Sequence, residues 1–174
     1  MVEISLLGKP VNTIGSLPQI GSFAPDFTVT KTDLSEIHLK NYLGKIIVMN
    51  IFPSLDTETC ATAMQHYNEL AEKFPDVLIL CISADLPFAQ KRFCITQHLE
   101  NVQPVSVFRH PSFGKDYGVT LIDGPLTGLL SRAVIIVNEN GKIIYTQQVK
   151  EVAEGPNYEA ITNVLEKTKY AYAK

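Results

Sequence analysis

The chain has 174 residues, of which 45 % are hydrophobic and 19 % charged, and its formal net charge is −3. This length and balance fit one globular domain, so residues 1–174 are treated as a single folding unit. The largest Lys/Arg cluster in sequence is the pair Lys91-Arg92, which argues against nucleic acid or an anionic membrane surface as a partner. No apolar run reaches the roughly 20 residues of a membrane helix, and the N-terminus lacks the features of a secretory signal, so we expect a cytoplasmic protein.

The first half of the chain predicts paired strands followed by one long helix. The predicted strands are residues 2–7, 11–14, 26–30, 37–39, 45–51 and 77–82. The first two form a hairpin that turns at Gly8-Lys9-Pro10, and the last two are continuous apolar runs, typical of central strands buried on both faces. Between those runs, apolar residues recur at helical spacing from Cys60 to Phe74, and Pro75 closes this helix.

The second half adds further helices and a second hairpin. Residues 87–98 are predicted to be helical with Asp85 as a candidate N-cap, and a short strand and a short helix follow at 105–108 and 112–117. A hairpin at 133–149 turns near Asn138, and an amphipathic helix at 158–172 ends the chain. Buried strands that alternate with helices predict an α/β fold: a thioredoxin-like mixed sheet flanked by helices, with an added N-terminal β-hairpin.

The chain has three cysteines, and they differ in their expected environments. An odd, sparse set without a C-x-x-C pair is neither a disulfide scaffold nor a common zinc site. Cys60 falls at a helix start, where free backbone N–H groups and the helix dipole favour the reactive thiolate. Cys81 lies within a buried strand and is interpreted as inert core. Cys94, taken alone, fits core packing as well as chemistry.

The cysteine at the helix start belongs to the pattern Pro53-x-x-x-Thr57-x-x-Cys60. Pro53 lacks an N–H, keeps the loop out of the strand register, and offers a ring that can shield the sulfur from water. Thr57 precedes the cysteine by one helical turn, within reach of the sulfur or of a bound oxygen. Arg132, beside a buried strand, can serve this site or pair with a structural carboxylate such as Asp123, and the residues alone leave both open.

Beyond this pattern, several stretches resemble the bacterial thiol peroxidase subfamily of the peroxiredoxins. They are residues 50–57, 80–90, 92–94, 123–126 and 132–133. The likeness covers nearly the whole chain. It implies a peroxide site formed by Pro53, Thr57, Cys60 and Arg132. It also implies that Cys94 is the resolving thiol in the same chain.

The resemblance implies a thiol-dependent peroxidase that acts on hydrogen peroxide and organic (alkyl) hydroperoxides. The Cys60 thiolate would become a sulfenic acid and then form an intrachain disulfide with Cys94, which thioredoxin would reduce. A homodimer is implied, and no metal, flavin or haem is required. Because a disulfide needs Cα atoms within about 7 Å, we expect the helix ends around the two cysteines to unwind if they are held farther apart.

Two other functions use the same cysteine. A non-enzymatic redox sensor or holdase would be oxidised without turnover, and a thiol hydrolase would pair Cys60 with a histidine. His66 lies six residues further on, about 240° round the helix, and so faces away; the other histidines are expected at the surface. Five aromatic residues can line an apolar mouth, although core packing is the simpler interpretation for most of them. They are Phe88, Phe93, Phe108, Phe113 and Tyr117.

Overall fold

The computed structural model of the chain describes residues 1–171. Its strands are β1 (Val2–Leu6), β2 (Lys9–Thr13), β3 (Thr28–Lys31), β4 (Glu36–His38), β5 (Ile46–Ile51), β6 (Val77–Ser83), β7 (Gln103–Ser106), β8 (Ala133–Val137) and β9 (Ile143–Gln148). Its helices are α1 (Glu58–Lys73), α2 (Pro87–Thr96), α3 (Ser112–Asp116) and α4 (Tyr158–Ala171), with a 3-10 helix at Leu39–Tyr42. The predicted C-terminal residue of the last helix, Tyr172, lies outside the described residues.

Seven strands form one sheet in the order β4-β3-β7-β6-β5-β8-β9. Strands β5, β6 and β7 run parallel to one another, whereas the pairings at both sides of this centre are antiparallel. Strands β1 and β2 pair with each other as a separate two-stranded hairpin outside this sheet. The predicted mixed α/β sheet with an added N-terminal hairpin is therefore confirmed.

The central strands separate two layers of core. Alternate residues of β5 point to opposite faces of the sheet. Ile47 and Met49 pack in the layer that contains Phe113, whereas Val48 packs in the layer that contains Cys60. The apolar runs that predicted these strands are continuous because both faces of the sheet are covered.

One edge of the sheet collects the ends of several strands. Because β5 and β6 are parallel and paired from Ile46↔Val77 to Ile51↔Ile82, their carboxyl ends lie side by side. Strand β8 runs antiparallel to β5, so its first residue pairs with the last residue of β5, as Ala133↔Ile51. The segments after β5 and β6 and the residue before β8 therefore meet at this edge.

Two local predictions were wrong. The N-terminal hairpin turns at Leu7 and Gly8, whose φ values of 52° and 75° suit a two-residue hairpin turn, so Lys9 and Pro10 belong to β2. Asp85 is not the cap of α2: the N-cap residue is Leu86, without a side-chain cap, and Pro87 is the first helical residue. The carboxylate of Asp85 is engaged elsewhere, as described below.

Among residues 1–171, no helix combines the length and the apolar character that crossing a membrane requires.

Candidate active site

The sulfur of Cys60 lies against a buried arginine. Cys60 is the third residue of α1 and is 1 % exposed, and Arg132, directly before β8, is 2 % exposed. The guanidinium Nη2 of Arg132 donates a hydrogen bond to the Cys60 sulfur at 3.2 Å. The antiparallel pairing of β5 and β8 produces this contact, because it brings the start of β8 to the edge at which the chain leaves β5 for α1.

Arg132 makes further hydrogen bonds through its Nε and through its backbone carbonyl. Its Nε donates to the carbonyl oxygen of Val152 at 2.9 Å. Its own carbonyl accepts from the backbone N–H of Val149 and from the Gln148 side chain. The alternative prediction, that Arg132 pairs with Asp123, was wrong. The Asp123 carboxylate accepts two hydrogen bonds from Asn12 instead.

The segment that holds the guanidinium is fastened in turn to the N-terminal hairpin. The N–H of Val152 donates to the carbonyl of Ser5 at 2.8 Å. The Glu151 carboxylate accepts from the backbone N–H groups of Leu7 and Gly8. Hydrogen bonds from backbone N–H groups, that of Ala153 first, lower the pKa of Glu151 to about 2.

The Cys60 sulfur is the side-chain partner of the buried guanidinium. Within residues 1–171, none of the side-chain ion pairs includes Arg132. A buried cation without an anionic partner is costly, and the sulfur of Cys60 is the side-chain atom to which this guanidinium donates. Nη1 of the same guanidinium is buried and has no hydrogen-bond partner among the described residues. The site therefore presents one donor that is bound to sulfur and one that is unused.

The loop between β5 and α1 carries the other two residues of the pattern. Pro53 is buried. Thr57 is the N-cap residue of α1, with extended backbone angles, and its carbonyl accepts the first helical hydrogen bond, from Ala61. The Thr57 hydroxyl caps no helical N–H. It donates instead to the carbonyl of Ser54 at 3.2 Å.

Asp85 anchors this loop, and the sequence interpretation missed that function. Its Oδ1 accepts from the Ser54 hydroxyl at 2.8 Å, and its Oδ2 accepts from the backbone N–H of Leu55 at 2.9 Å. Oδ2 also accepts from the Ser83 hydroxyl at 2.7 Å. The signal in the sequence was the position of Asp85 two residues after the end of β6, at the edge where the neighbouring strand β5 ends.

Cys94 lies on α2 as a free thiol. It is partly buried and packs against the same core layer as Cys60, and burial raises the pKa of its thiol to about 11. No disulfide joins it to Cys60, since all three cysteines are free. The structure thus corresponds to the reduced chain.

Residues 19–162 match the protein family described as Redoxin. The chain is 50 % identical over 165 residues to the thiol peroxidases of Mycobacterium bovis and Mycobacterium tuberculosis, a match that covers 95 % of this chain and 99 % of each relative. The chain belongs to the redoxin family, among its thiol peroxidases. It is therefore a peroxiredoxin-type, thiol-dependent peroxidase.

Solved structures of thiol peroxidases and peroxiredoxins share this fold. A peroxiredoxin-like protein from Aquifex aeolicus is 38 % identical, with a TM-score of 0.89 over 95 % of this chain and 96 % of that one. A thiol peroxidase from Chromobacterium violaceum has a TM-score of 0.90 over 97 % of this chain and 98 % of that one, at 19 % identity, and so shows the likeness of fold. The thioredoxin-like fold implied by the sequence is confirmed.

The cysteine of the central sheet is a core residue, as predicted. Cys81 is fully buried in β6, and burial raises the pKa of its thiol to about 12. Its sulfur lies 3.7 Å from the side-chain nitrogen of Asn50. A thiol that is shielded from water and protonated at neutral pH is chemically inert.

The hydrolase alternative lacks its histidine. His66 is exposed and stacks on Tyr158, with ring centroids 4.3 Å apart. His38 hydrogen-bonds to Thr28 and His110 to Glu36. Within residues 1–171, no histidine hydrogen-bonds to Cys60, and no cluster of three His, Cys, Asp or Glu side chains is arranged to hold a metal ion.

The five aromatic residues separate into core and surface. Phe113 and Tyr117 are buried in the core layer across the sheet from Cys60. Phe93, on α2, packs against the layer of Cys60. Phe88 and Phe108 are exposed, at 66 % and 40 %. Of these five residues, only Phe93, Phe88 and Phe108 can therefore line an apolar mouth near the site.

Proposed function

We propose that the chain reduces hydrogen peroxide and organic hydroperoxides through Cys60, with Cys94 as the resolving thiol and thioredoxin as the reductant. The contact of 3.2 Å between buried Arg132 and the Cys60 sulfur carries this proposal. Membership of the thiol peroxidase family supports it, because the family supplies the reaction that such a thiolate would perform.

The first step would be attack of the Cys60 thiolate on the terminal oxygen of the hydroperoxide. The S–O bond forms as the O–O bond breaks, the sulfur becomes a sulfenic acid, and the leaving alkoxide takes up a proton to give an alcohol, or water from hydrogen peroxide. The unused Nη1 of Arg132 is the donor that would stabilise charge on the peroxide oxygens.

Thr57 would orient the peroxide. Its hydroxyl hydrogen is engaged by the carbonyl of Ser54, so the lone pairs on its oxygen are left to accept a hydrogen bond from the O–H of a hydroperoxide. Pro53, buried in the same loop, would keep bulk water from the sulfur. This arrangement would align the O–O bond with the attacking sulfur.

The second step would be condensation of the sulfenic acid with the Cys94 thiol, which forms the disulfide and releases water. Because burial raises the pKa of Cys94 to about 11, the resting thiol is protonated at neutral pH. Its attack would therefore accompany movement of the exposed end of α2, where Ile95 is 65 % exposed. Thioredoxin would then reduce the disulfide by thiol–disulfide exchange.

The proposal is tested by peroxide turnover with thioredoxin, thioredoxin reductase and NADPH. We expect Cys60→Ser to be inactive, Cys94→Ser to react once and then stall or overoxidise, and Cys81→Ser to retain the parental rate. A chain that acts only as a sensor or holdase would oxidise Cys60 without continuous NADPH consumption. Full turnover by Cys60→Ser would overturn the proposal.

We also propose a homodimer that acts in the cytoplasm and prefers alkyl hydroperoxides. Leu86, Phe88 and Phe108 are exposed apolar residues that follow the carboxyl ends of the parallel strands β6 and β7. They offer a surface for a second copy and an apolar approach for an alkyl group. Light scattering should give a dimer for the parent chain and a smaller species for Phe88→Ser, and cumene hydroperoxide should react faster than hydrogen peroxide.

A further inference from the structure

We propose that Asp85 is a positioning residue for the peroxide-binding step, because it fixes the loop that aims the hydroxyl of Thr57. This inference rests on the proposed function, since it requires Thr57 to contact the hydroperoxide. Asp85 itself would touch neither the peroxide nor the reacting sulfur. It would act through Ser54 and through the backbone of the loop.

Asp85 is linked to the loop between β5 and α1 through both of its carboxylate oxygens. One carboxylate oxygen accepts from the hydroxyl of Ser54 at 2.8 Å and the other from the N–H of Leu55 at 2.9 Å. The two residues are consecutive, so the carboxylate fixes both the side chain of one and the backbone of the next. Hydrogen bonds to a carboxylate are stronger than those between neutral groups.

Ser54 is in turn hydrogen-bonded to Thr57. The carbonyl of Ser54 accepts from the hydroxyl of Thr57 at 3.2 Å and from its N–H at 3.4 Å. The Ser54 hydroxyl, while it donates to Asp85, also accepts from the N–H of Asp56 at 3.2 Å. The direction of the Thr57 hydroxyl is therefore set by Ser54, and the position of Ser54 is set by Asp85.

Asp85 is itself held in place by hydrogen bonds from its backbone. Its N–H donates to the hydroxyl of Ser83, and its carbonyl accepts from the hydroxyl of Ser106. Ser83 also accepts from the side chain of Gln90 at 3.2 Å, and Ser83, Ser106 and Gln90 are each fully buried. Asp85 is thus fixed to the ends of β6 and β7 and to the first turn of α2.

The two halves of the site are held in place by different residues. Arg132, which faces the sulfur, is held by the carbonyl of Val152. Thr57, which would face the peroxide, is held through Ser54 by Asp85. The two anchors share no residue. Loss of Asp85 should therefore impair the approach of peroxide while leaving the reactivity of the thiolate towards other electrophiles nearly unchanged.

The test compares two reactions of the same sulfur in a Cys94→Ser background, in which Cys60 reacts once. We expect Asp85→Ala to slow oxidation of Cys60 by hydrogen peroxide roughly 10- to 100-fold, as a misplacement near 1 Å does. The rate of alkylation by iodoacetamide, which needs the thiolate but not Thr57, should change by no more than about threefold. Asp85→Asn, which keeps the shape and one acceptor oxygen, should recover part of the peroxide rate.

Asp123→Ala is the matched control, since that carboxylate also accepts from a side chain and a backbone N–H but lies on another loop. It should leave both rates within about twofold of the parent, as for additive, uncoupled sites. In a double-mutant cycle, Asp85→Ala should add little to the loss caused by Thr57→Val, because both remove the same alignment.

An unchanged peroxide rate in Asp85→Ala, equal slowing of peroxide and iodoacetamide, or full additivity with Thr57→Val would each overturn the inference. If Asp85→Ala does not fold, Ser54→Ala tests the same connection. Failure of the proposed function gives a different result. The Cys94→Ser variant with Asp85 unchanged would then react with peroxide no faster than free cysteine.

Discussion

Arg132 donates a hydrogen bond to the sulfur of Cys60 at 3.2 Å, although the two residues are 72 positions apart and both are buried. The contact depends on strand order, because β8 must lie antiparallel beside β5 for the residue before it to reach α1. One guanidinium thereby serves the sulfur through Nη2 and the backbone through Nε.

Arg132→Lys should slow oxidation of Cys60 by peroxide roughly 100-fold, the cost of removing one preorganised donor. A lysine retains the charge but cannot contact Val152 and the sulfur in the same planar geometry. Stopped-flow measurement of the first turnover would determine this rate. Arg109→Lys, at an exposed arginine, is the control, and a parental rate in Arg132→Lys would contradict the proposed role of the guanidinium.

In the Cys60→Ser variant, alkylation of Cys94 should be slow at pH 7 and should rise steadily as the pH approaches 11. Burial raises the pKa of this thiol to about 11, so little thiolate exists at neutral pH. Mass spectrometry after timed iodoacetamide treatment at several pH values would measure the rate of alkylation of Cys94. A rate that is half-maximal near pH 8.5 and level by about pH 10 would show that the thiol titrates like a free cysteine.

Stability should fall at alkaline pH partly because of Cys81. Its folded pKa of about 12 exceeds the unfolded value near 9, so this contribution to stability is complete below pH 9 and is lost as the pH rises towards 12. The free energy of unfolding in urea should therefore decrease more steeply between pH 8 and about pH 10.5 in the parent than in Cys81→Ala. An equally steep decrease in the free energy of unfolding of both proteins would contradict the contribution of Cys81.

Glu151 should make the opposite contribution at acidic pH. Its folded pKa of about 2 lies below the model-compound value of 4.5, so its contribution is present above that value and is lost as the pH falls towards 2. Thermal unfolding between pH 5.5 and pH 2.5 should show a larger drop in Tm for the parent than for Glu151→Gln. An equal drop in both proteins would exclude the carboxylate as the cause.

Oxidation should loosen the two helix ends and leave the sheet intact. Formation of a Cys60–Cys94 disulfide requires Cα atoms within about 7 Å, and the reduced structure holds Cys94 on a partly buried helix. Amide exchange should accelerate in the first turn of α1 and the last turn of α2, with β5 and β8 unchanged. Identical protection in the reduced and oxidised chains would rule out this movement.

The sequence was sufficient for the central strands and the long helix. The apolar runs of β5 and β6 are continuous because the sheet is covered on both faces, and Pro75 follows α1 closely enough to mark its end. The function of Arg132 was not decided by local pattern, since Asp123 was an equally good partner until strand order was known. The resemblance to a known family, rather than composition or spacing, singled out Cys94.

Asp85 shows why a local rule was insufficient. An aspartate just before a proline-started helix is a good candidate cap by position. Its carboxylate instead binds Ser54 and Leu55, which lie in the loop after the neighbouring strand β5, some 30 positions earlier in the chain. The hairpin turn at Leu7 was displaced for a similar reason, since β1 and β2 pair along their full length and leave only two residues to turn.

The carbonyl of Val152, which accepts from the Arg132 guanidinium, belongs to a segment that is hydrogen-bonded to the N-terminal hairpin. These hydrogen bonds involve Ser5 of the hairpin and Glu151 of the segment. Three hydrogen bonds, through Val152 and Arg132, thus connect the first ten residues to the sulfur of Cys60. Binding, cleavage or extension at that end of the polypeptide would act on the Cys60 sulfur through these hydrogen bonds. Purification tags are therefore better appended at the opposite terminus.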